Sequence, residues 1–554
     1  MRKPSRRTLL TASAAALGSG LVASCSGNGA HPQPGARPGA GVLTVSHDFV
    51  PPGPKGYVTP SGPEVRAAER RRGSGPVREF ELTAAETTVD LDGQRVRTWA
   101  YSDHLSGPQV RVTAGDVLSL TLANRLPAET SLHTHGVRMR CDMDGVPDLT
   151  QEPIRPGTDF RYRFTVGHPG TYLLHSHSGM QPDRGLYAPL IVDDPKEPLS
   201  YDKEWVIVLD DWVDGVGGST PDKVLAELLH HKGGSMAGMS MGMGPGGAPS
   251  GHGSSDHRGP ASPHASASAG RKPSGPSRML HGSHSRMLRS EAGSVAYPHY
   301  LVNGRLPTNP SVFRARPGER IRLRIINAGA DTAFRVALGG HTMTITHTDG
   351  YPVVHEETDA LLLGMLERYD VLVTAKDGVF PFVALAEGKD GRALALLRTS
   401  DRAAAPRPDI YPDELDGRCM PARRLRPHES VALPHREPDR EIRIKFTGNM
   451  RQYNWGFDHK PYSVTQRHPI RAGERVRLTL INATDMWHPL HLHGHTFAVL
   501  GLDGLGARKD TTIVHPHRKL DLQFDADNPG LWMLHCHNQY HSESGMMTIL
   551  GYRT

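Results

Sequence analysis

Aromatic residues, cysteines and long apolar runs are all scarce in this sequence. Phe, Trp and Tyr make up only 6% of its 554 residues, whereas Gly and Pro number 60 and 45. This composition disfavours a helical bundle and favours short strands that are joined by many turns. No stretch is long and apolar enough to be predicted as a membrane span. We therefore expect an all-β protein, and the chain length predicts three or four domains.

A one-sided charge is also missing. The formal net charge is +6, but Arg alternates with Asp and Glu along the chain instead of forming a basic stripe. Clustered Lys and Arg are the usual electrostatic signature of nucleic-acid binding. We therefore expect no nucleic-acid partner.

The four cysteines stand in different contexts. Cys25 ends an N-terminal segment that resembles an export signal, and Cys536 lies in a His-Cys-His run. Cys141 and Cys419 remain. In an exported protein these two could form one disulfide or stay as free thiols, and the sequence leaves both alternatives open.

Residues 1–25 have the pattern of a bacterial export signal. Arg6 and Arg7 form a twin-arginine pair before a small apolar run, and residues 22–25 (Val-Ala-Ser-Cys) resemble a lipobox. Lipidation of Cys25 would anchor the protein to the cell membrane, whereas ordinary cleavage would release it. The prediction is twin-arginine export and an extracytoplasmic location.

Three stretches of irregular composition divide the chain. Residues 26–76 are rich in Gly, Pro and Arg and predict a flexible tether. Residues 232–290 combine Met and His with Gly, Ser and Pro and should not bury a core. Residues 401–438 are interpreted as a connector. The remaining sequence forms three blocks, residues 77–198, 199–400 (interrupted by the Met/His-rich insertion) and 439–554.

An internal repeat relates these three blocks. Each copy begins with Gly and an acidic residue, continues as an alternating strand and ends nine residues later in Asn. The copies are Gly115–Asn124, Gly318–Asn327 and Gly473–Asn482. Agreement of both pattern and spacing indicates three related β-domains.

Histidine pairs follow the first and third copies of this repeat but not the second. The positions nine and eleven residues beyond Asn hold two histidines in the outer copies, whereas the middle copy has Val336 and Leu338. A second set of equivalent positions, five and seven residues after a Gly, behaves in the same way, and the middle copy there has Val383 and Leu385. The four pairs are His133/His135, His175/His177, His491/His493 and His535/His537.

These pairs predict a metal cluster. Side chains two apart on a strand share a face, so each His-x-His can direct two imidazoles at one centre. Because the pairs are divided between the first and last blocks, we expect one cluster where those blocks meet. Imidazole suits Cu, Zn, Fe and Ni, so the pairs alone do not identify the metal.

Residues near the C-terminus identify the metal as copper. His488, Cys536, His541 and Met546 supply the two His, one Cys and weak axial Met of a blue-copper electron-transfer centre.

Together these motifs resemble those of three-domain bacterial multicopper oxidases, of the laccase and cuprous-oxidase kind. The resemblance covers about Val77 to Thr554. It implies three cupredoxin-like Greek-key β-sandwiches in series and four coppers per chain. It also implies one-electron oxidation of a reducing substrate, coupled to four-electron reduction of O2 to water. The motifs that carry it are His133-Thr134-His135-Gly136, His175-Ser176-His177, the run from His488 to Gly494 and the run from His535 to Met546.

The resemblance further implies a role for each ligand. The type 1 copper would be held by His488, Cys536, His541 and Met546, and the type 2 copper by His133 and His491. The type 3 pair would be held by His135, His175, His177, His493, His535 and His537. Because His535 and His537 flank Cys536, the chain itself would form a short path for electrons. Asp144 occupies the position of an acid that assists with protons, although Asp-Gly is also a common turn. His495 falls outside the ligand positions.

The chain departs from the family pattern in a few places. Ser542 follows His541 where several relatives have a Glu that is thought to move protons, and Glu543 stands one position late. Thr134 replaces a common Trp, and Leu173 and Leu174 replace aromatic residues. None of these changes removes a ligand.

The sequence leaves three functions open. The first is oxidation of Cu(I) in copper tolerance, which the Met/His-rich insertion favours because thioether and imidazole bind cuprous ions; an inert flexible loop is the alternative for that insertion. The second is a laccase-like oxidation of phenols, aromatic amines or Fe(II). The third is a copper-binding lipoprotein without catalysis.

Overall fold

The computed structural model describes residues 42–43, 49–230, 267–268, 277–501 and 504–554. The predicted signal, the first part of the predicted tether and most of the Met/His-rich insertion lie outside these residues. In the described part of the chain, no helix has the length and apolarity needed to cross a membrane.

Strands make up nearly all of the regular structure, which confirms the all-β prediction. The first block contains β2 (Val77–Leu91), β3 (Gln94–Ala100), β4 (Val110–Thr113), β5 (Val117–Arg125), β6 (His133–His135), β7 (Asp159–Thr165), β8 (Gly170–His175) and β9 (Tyr187–Asp193), and β1 (Val42–Leu43) precedes this block and pairs with β7. The middle block contains β10 (Lys203–Trp212), β11 (Ala267–Ser268), β12 (His284–Ser285), β13 (Ser290–Glu291), β14 (His299–Val302), β15 (Ser311–Arg314), β16 (Arg320–Asn327), β17 (Phe334–Leu338), β18 (Met343–Thr348), β19 (Tyr351–Thr358), β20 (Leu361–Leu363), β21 (Arg368–Thr374), β22 (Val379–Ala386) and β23 (Arg392–Arg398). The third block contains β24 (Arg440–Thr447), β25 (Gly456–Phe457), β26 (His468–Ile470), β27 (Arg475–Asn482), β28 (His488–Leu492), β29 (Phe497–Gly501), β30 (Gly504–Lys509), β31 (Thr511–Val514), β32 (Lys519–Asp525), β33 (Leu531–Cys536) and β34 (Met547–Tyr552).

Helices are few and short in the residues that the structure describes. The α-helices are α1 (Pro63–Arg72), α2 (Pro221–His230) and α3 (Gln539–Glu543), and short 3-10 turns occur at Cys141–Met143, Pro182–Arg184, Asp413–Asp416, Ala422–Arg424 and Glu429–Val431. The last three of these turns lie in the predicted connector.

Each block forms two main sheets with apolar side chains buried on them, as expected for a β-sandwich. In the middle block, β11, β12 and β13 form a further small sheet. The strand orders are β1-β7-β5-β2-β3 and β4-β9-β8-β6 in the first block, β14-β10-β16-β21-β18-β19 and β15-β23-β22-β17-β20 in the middle block, and β25-β24-β27-β32-β29-β30 and β26-β34-β33-β28-β31 in the third. The repeat strands β5, β16 and β27 occupy equivalent places. Each pairs in parallel with the first long strand of its block, β2, β10 or β24.

The Asn that ends each repeat makes the same buried contacts three times. Asn124 Nδ2 donates to the carbonyl groups of Ala128 and Ile154. Asn327 and Asn482 each donate to two carbonyl groups in the same manner, and all three Oδ1 atoms accept the N–H two residues later. These bonds satisfy backbone groups in the turn before the next strand. In the outer blocks, that next strand carries the histidines.

The histidine strands pair as the repeat predicts. β6 and β8 are antiparallel with His133 opposite His175, and β28 and β33 are antiparallel with His491 opposite His535. The corresponding middle strands, β17 and β22, also pair, but their side chains at Val336 and Val383 are buried and apolar.

Two predicted irregular segments are partly ordered. The tether prediction is wrong for residues 49–76, because Val58 N–H donates to Tyr552 O at 2.8 Å and α1 buries Val65 and Ala68. The high Arg content of this segment concealed those apolar positions. Residues 277–291, at the end of the insertion, form an antiparallel hairpin through β12 and β13, where Leu288 is fully buried.

The disulfide alternative is also overturned, because Cys141 and Cys419 are free thiols. Cys141 Sγ contacts the backbone of Leu531 in the third block. The backbone of Cys419 instead forms an isolated β-bridge with that of Ala360 in the middle block. Cys141 and Cys419 therefore contact different parts of the protein and do not pair with each other.

Candidate metal centres

Eight imidazoles from the first and third blocks meet in one buried cluster. Nitrogen atoms of His133, His135 and His491 lie within 4.8 Å of one another. The same holds for two further groups, which are His135, His175 and His537, and His177, His493 and His535. The structure thus brings together all four His-x-His pairs that the sequence predicts.

Backbone carbonyl groups orient several of these rings. The Nδ1–H groups of His133, His175 and His491 donate to the carbonyls of Asp144, Ser176 and Asp510 at 2.7, 2.8 and 2.8 Å. Because a carbonyl oxygen can only accept, Nδ1 carries the proton and Nε2 presents a lone pair. This arrangement, with one ring nitrogen held and the other free, is typical of metal-ligating histidines.

The free nitrogens fit a metal. Five of them are buried and have no hydrogen-bond partner among the described residues: His133 Nε2, His135 Nδ1, His175 Nε2, His491 Nε2 and His537 Nε2. Burial, followed by the neighbouring imidazoles, lowers the pKa of His175 well below its ordinary value, so the ring is neutral and able to ligate. Unpaired buried acceptors are costly unless an ion satisfies them. Imidazole is a suitable donor for copper.

Asp144 lies beside the cluster, where the sequence predicts it. Its carboxylate Oδ2 accepts from His493 Nδ1 at 2.9 Å, and its own carbonyl holds His133. The next residue, Gly145, has a φ of +78°, and a Cβ there would lie 2.0 Å from Leu132 O. Asp144-Gly145 is therefore both a required turn and a direct contact of the cluster.

Asp510 is a contact of the cluster that sequence reasoning missed. Its Oδ1 lies 3.0 Å from His135 Nε2, and Arg368 Nη1 and Nη2 donate to its two oxygens at 2.7 and 2.6 Å. Burial opposes ionisation, but Arg368 and His135 outweigh it and hold the pKa of Asp510 well below its ordinary value. His135 and Asp510 are 375 positions apart, and no local motif marks the pair.

A second centre lies in the third block. Cys536 Sγ is 3.6 Å from His488 Nδ1 and 3.7 Å from His541 Nδ1, and the two nitrogens are 3.2 Å apart. Burial lowers the pKa of His541 to about 3, so its imidazole is neutral. Thr484 Oγ1 lies 2.9 Å from His488 Nε2 and orients that ring. Two neutral imidazoles and one thiol that converge in this way fit a copper ion.

Met546, the predicted axial ligand, is fully buried in the same region. Its carbonyl accepts from Cys536 N–H at 3.1 Å, and its own N–H donates to His541 O at 3.1 Å. These two backbone bonds fix Met546 relative to both ligands.

The helix α3 positions His541. Asn538 is its N-cap and accepts the N–H groups of Tyr540 and His541, which are otherwise unpaired at a helix start. Asn538 Nδ2 in turn donates to Asp331 Oδ1 at 2.6 Å in the middle block. The loop between His537 and His541 is thereby held from both sides.

The departures from the family pattern are accommodated. Ser542 Oγ lies 3.4 Å from His535 Nδ1. Glu543 is largely buried, and burial together with the charge of Asp222 raises its pKa to about 7. Thr134 is buried in β6 opposite Leu174. His495 contacts Tyr552 OH at 2.7 Å, consistent with a structural role.

An open pocket of about 510 Å³ adjoins the second centre. Trp455 lines it and packs on His541 with ring centroids 4.5 Å apart. The other lining residues include two methionines, Met450 and the buried Met486, and two acids, Asp485 and Glu291. Met486 lies two residues before His488, so the pocket reaches the immediate surroundings of that ligand.

Comparisons with known proteins agree with this architecture. Three models described as multicopper oxidase match residues 83–197, 281–402 and 435–553. The chain is 45% identical over 490 residues to multicopper oxidase MmcO of Mycobacterium tuberculosis, covering 88% of this chain and 90% of that protein. It is 28% identical to the copper resistance protein A homolog of Pseudomonas syringae pv. tomato, covering 84% and 91%.

A solved structure supports the fold. The multicopper oxidase Fet3p, which functions in iron import, superimposes with a TM-score of 0.68 at 23% identity and covers 86% of this chain and 90% of its own. Three matched segments and a relative of 45% identity over most of both chains leave one assignment. The chain belongs to the multicopper oxidases, copper-dependent oxidoreductases that use O2 as electron acceptor.

Proposed function

We propose that this oxidase takes its electrons from Cu(I) and serves copper tolerance. The observation that carries the proposal is the pocket beside the second centre, which is lined by two methionines and two acidic residues. Thioethers favour cuprous ion, and carboxylates favour the cupric product. A single pocket would therefore accept the ion in both oxidation states.

The ligand roles implied by the sequence are part of the same proposal. His488, Cys536, His541 and Met546 would hold the type 1 copper, and the eight clustered histidines would hold the type 2 and type 3 coppers. When bound, these coppers supply electron transfer and O2 reduction. The protein contributes the buried donors, the orientation of each ring and a carboxylate, Asp144, in contact with His493.

The ordered end of the Met/His-rich insertion supports delivery of copper to this pocket. Glu291 lines the pocket and pairs across the hairpin with His284. Directly opposed residues of an antiparallel pair lie side by side, so His284 lies at the edge of the opening. Trp487 Nε1 donates to Ala292 O at 3.3 Å, which fixes the hairpin against the third block.

The location of the activity is inferred from the sequence alone. Arg6, Arg7 and Cys25 indicate twin-arginine export and a lipid anchor, and these residues lie outside the described part of the chain. Cu(I) would then be oxidised outside the cytoplasmic membrane. The partners of this proposal are O2, Cu(I) and a membrane surface.

The test compares two electron donors in the copper-loaded enzyme. Met450→Leu and Met486→Leu keep apolar volume but remove the thioether. If each sulfur contributes about 1.4 kcal/mol to Cu(I) binding, the KM for Cu(I) rises about tenfold in each variant. Oxidation of a diphenol, which needs no thioether, should change by less than about twofold on the same energetic grounds. Met343→Leu, buried in β18, is the matched control.

Two outcomes would contradict Cu(I) as the donor. One is an unchanged KM for Cu(I) in both pocket variants. The other is efficient diphenol turnover beside poor Cu(I) turnover in the unaltered enzyme, which would indicate the laccase-like alternative. In that case Trp455, which packs on His541, would be the surface that a phenol contacts.

A further inference from the structure

A second pocket, of about 510 Å³, lies where the hairpin, the connector and the third block meet. Four guanidinium groups line it. Arg286 and Arg289 come from the hairpin, Arg423 from the connector and Arg518 from the turn before β32. It shares no lining residue with the pocket beside the second centre.

The charge of this pocket is unbalanced. No ion pair joins any of these four arginines to a carboxylate within the described ranges. The one acid in the wall, Glu367, is already engaged by Lys509 Nζ at 3.1 Å and by Gly364 N–H at 2.8 Å. Lys519 is also in the wall and pairs with Asp521 at 3.1 Å. A concave wall with several uncompensated cations attracts anions.

His515 shows that the positive charges converge. Its Nδ1–H donates to Leu288 O at 3.2 Å, so the ring is fixed against the hairpin. Burial first, and then Arg289, Arg423 and Arg518, lower the pKa of His515. The charges of three arginines from separate segments therefore all affect His515.

The pocket also has apolar lining residues. Leu362, Met420, Ile513 and Val514 contribute to the lining. Small-molecule sites typically combine an apolar wall with a few polar anchors, in volumes of about 300–1,000 Å³. The pocket therefore suits a ligand that has a charged end and an apolar body.

We propose that this pocket binds a small organic phosphate, whose phosphate group is held by Arg289, Arg423 and Arg518 and whose body packs on Ile513 and Met420. Guanidinium groups recognise phosphate oxygens through paired, charge-assisted hydrogen bonds. Several unpaired guanidiniums match a doubly charged phosphate better than a singly charged carboxylate. The site has its own lining residues, although Val514 in its wall pairs with His488 between β31 and β28.

Calorimetric titration of the copper-loaded protein tests this proposal, with phenyl phosphate as the probe. Inorganic phosphate tests the need for an apolar body, and benzoate tests the need for a double charge. Arg289→Ala and Arg518→Ala remove one anchor each. Arg155→Ala, an exposed arginine on the first block, is the matched control. Because all three side chains are exposed, blue absorption and the thermal midpoint should be retained in each variant.

The proposal predicts that phenyl phosphate binds more tightly than inorganic phosphate or benzoate, and that each pocket variant weakens binding at least about tenfold. The control variant should bind as the unaltered protein does. Equal weakening in Arg155→Ala, or undiminished binding in both pocket variants, would overturn it. Binding to vesicles of phosphatidylglycerol, compared with vesicles of phosphatidylcholine, tests whether the phosphate belongs to a lipid or to a free molecule. Binding that depends on Arg518 and competes with phenyl phosphate would assign the phosphate to a lipid headgroup.

Discussion

Cys536 and His535 are consecutive residues that serve different centres. Cys536 Sγ lies 3.6 Å from His488 Nδ1, whereas His535 Nε2 lies 3.1 Å from His493 Nε2. Successive side chains of a strand point to opposite faces, and β33 places one residue on each side. A single stretch of backbone therefore joins the two groups of ligands.

Replacement of the Cys536 thiol tests whether this residue holds copper in the second centre. Cys536→Ser removes the thiolate ligand of the second centre, so we expect loss of the blue absorption and of turnover. The eight clustered histidines keep their contacts. Visible absorption and copper content per chain measure the two effects, and a variant that remained blue would contradict the assignment.

Cys419→Ser is the matched control for that experiment. Cys419 is half-buried and far along the chain from every proposed ligand, and burial raises the pKa of its thiol to about 11. We expect this variant to retain colour and turnover. Together the two variants separate a specific ligand from a general sensitivity to loss of a thiol.

Asp144→Asn tests the carboxylate beside the cluster. The charged acceptor of His493 Nδ1 is lost, and outer contacts of this kind are typically worth about 10–100-fold in activity. We expect O2 consumption to fall by that factor while the blue absorption stays unchanged. Asp142→Asn, in the 3-10 turn that directly precedes Asp144 and paired with Arg140, should keep its activity. Full activity in Asp144→Asn would leave Asp144 as a turn residue only.

Asp510→Asn tests the contact that sequence reasoning missed. Arg368 would lose its main buried partner, and breaking a buried pair costs about 3–5 kcal/mol of unfolding free energy. His135 would also lose an acceptor. We expect a lower thermal midpoint and less copper retained after dialysis against a chelator. Asp193→Asn breaks a surface pair with Arg111 and should cost less than about 1 kcal/mol; equal effects of the two variants would contradict the role of Asp510.

The contacts of Asp370 join the first and middle blocks, and we expect them to weaken in acid. It accepts from Thr171 Oγ1 at 2.7 Å and from Arg322 and Arg324 at 3.0 Å. Burial alone would raise its pKa, but the two arginines, helped by His347, hold the pKa below its ordinary value. The stabilisation is therefore complete above the unfolded pKa of about 4 and is lost as the pH falls below it.

Thermal unfolding at several pH values checks this prediction. Asp370→Asn should be less stable than the unaltered protein by about 3–5 kcal/mol at neutral pH. The difference should narrow as the pH falls below about 4, because Asp370 is then protonated in the unfolded chain, whereas its lowered pKa keeps it charged in the folded protein until the pH is lower still. A difference that did not change with pH would show that the carboxylate charge contributes nothing.

The repeat and the clustering of the histidine pairs could be predicted because both depend on local spacing. The contacts of Asn124, Asn327 and Asn482 explain why one pattern occurs three times, since each closes the same kind of turn. His-x-His predicts a shared face from strand geometry alone. These signals lie within a dozen residues of each other.

Contacts between distant segments could not be predicted in this way. The pairing of Asp510 with His135, and the cap that Asn538 shares with Asp331, join segments from different blocks. The order of residues 49–76 was missed because its buried side chains, such as Val65, lie among arginines. Charge density conceals a short apolar stripe unless the surface that covers it is known.

The most direct test of the proposed activity is the stoichiometry of Cu(I) oxidation against O2 consumption in the copper-loaded enzyme. If Cu(I) is oxidised at the Cys536 centre and O2 is reduced to water at the histidine cluster, four Cu(I) are oxidised for each O2 consumed. No peroxide is then released. Two Cu(I) per O2 with peroxide in solution would contradict the account, because O2 would then be reduced without the cluster.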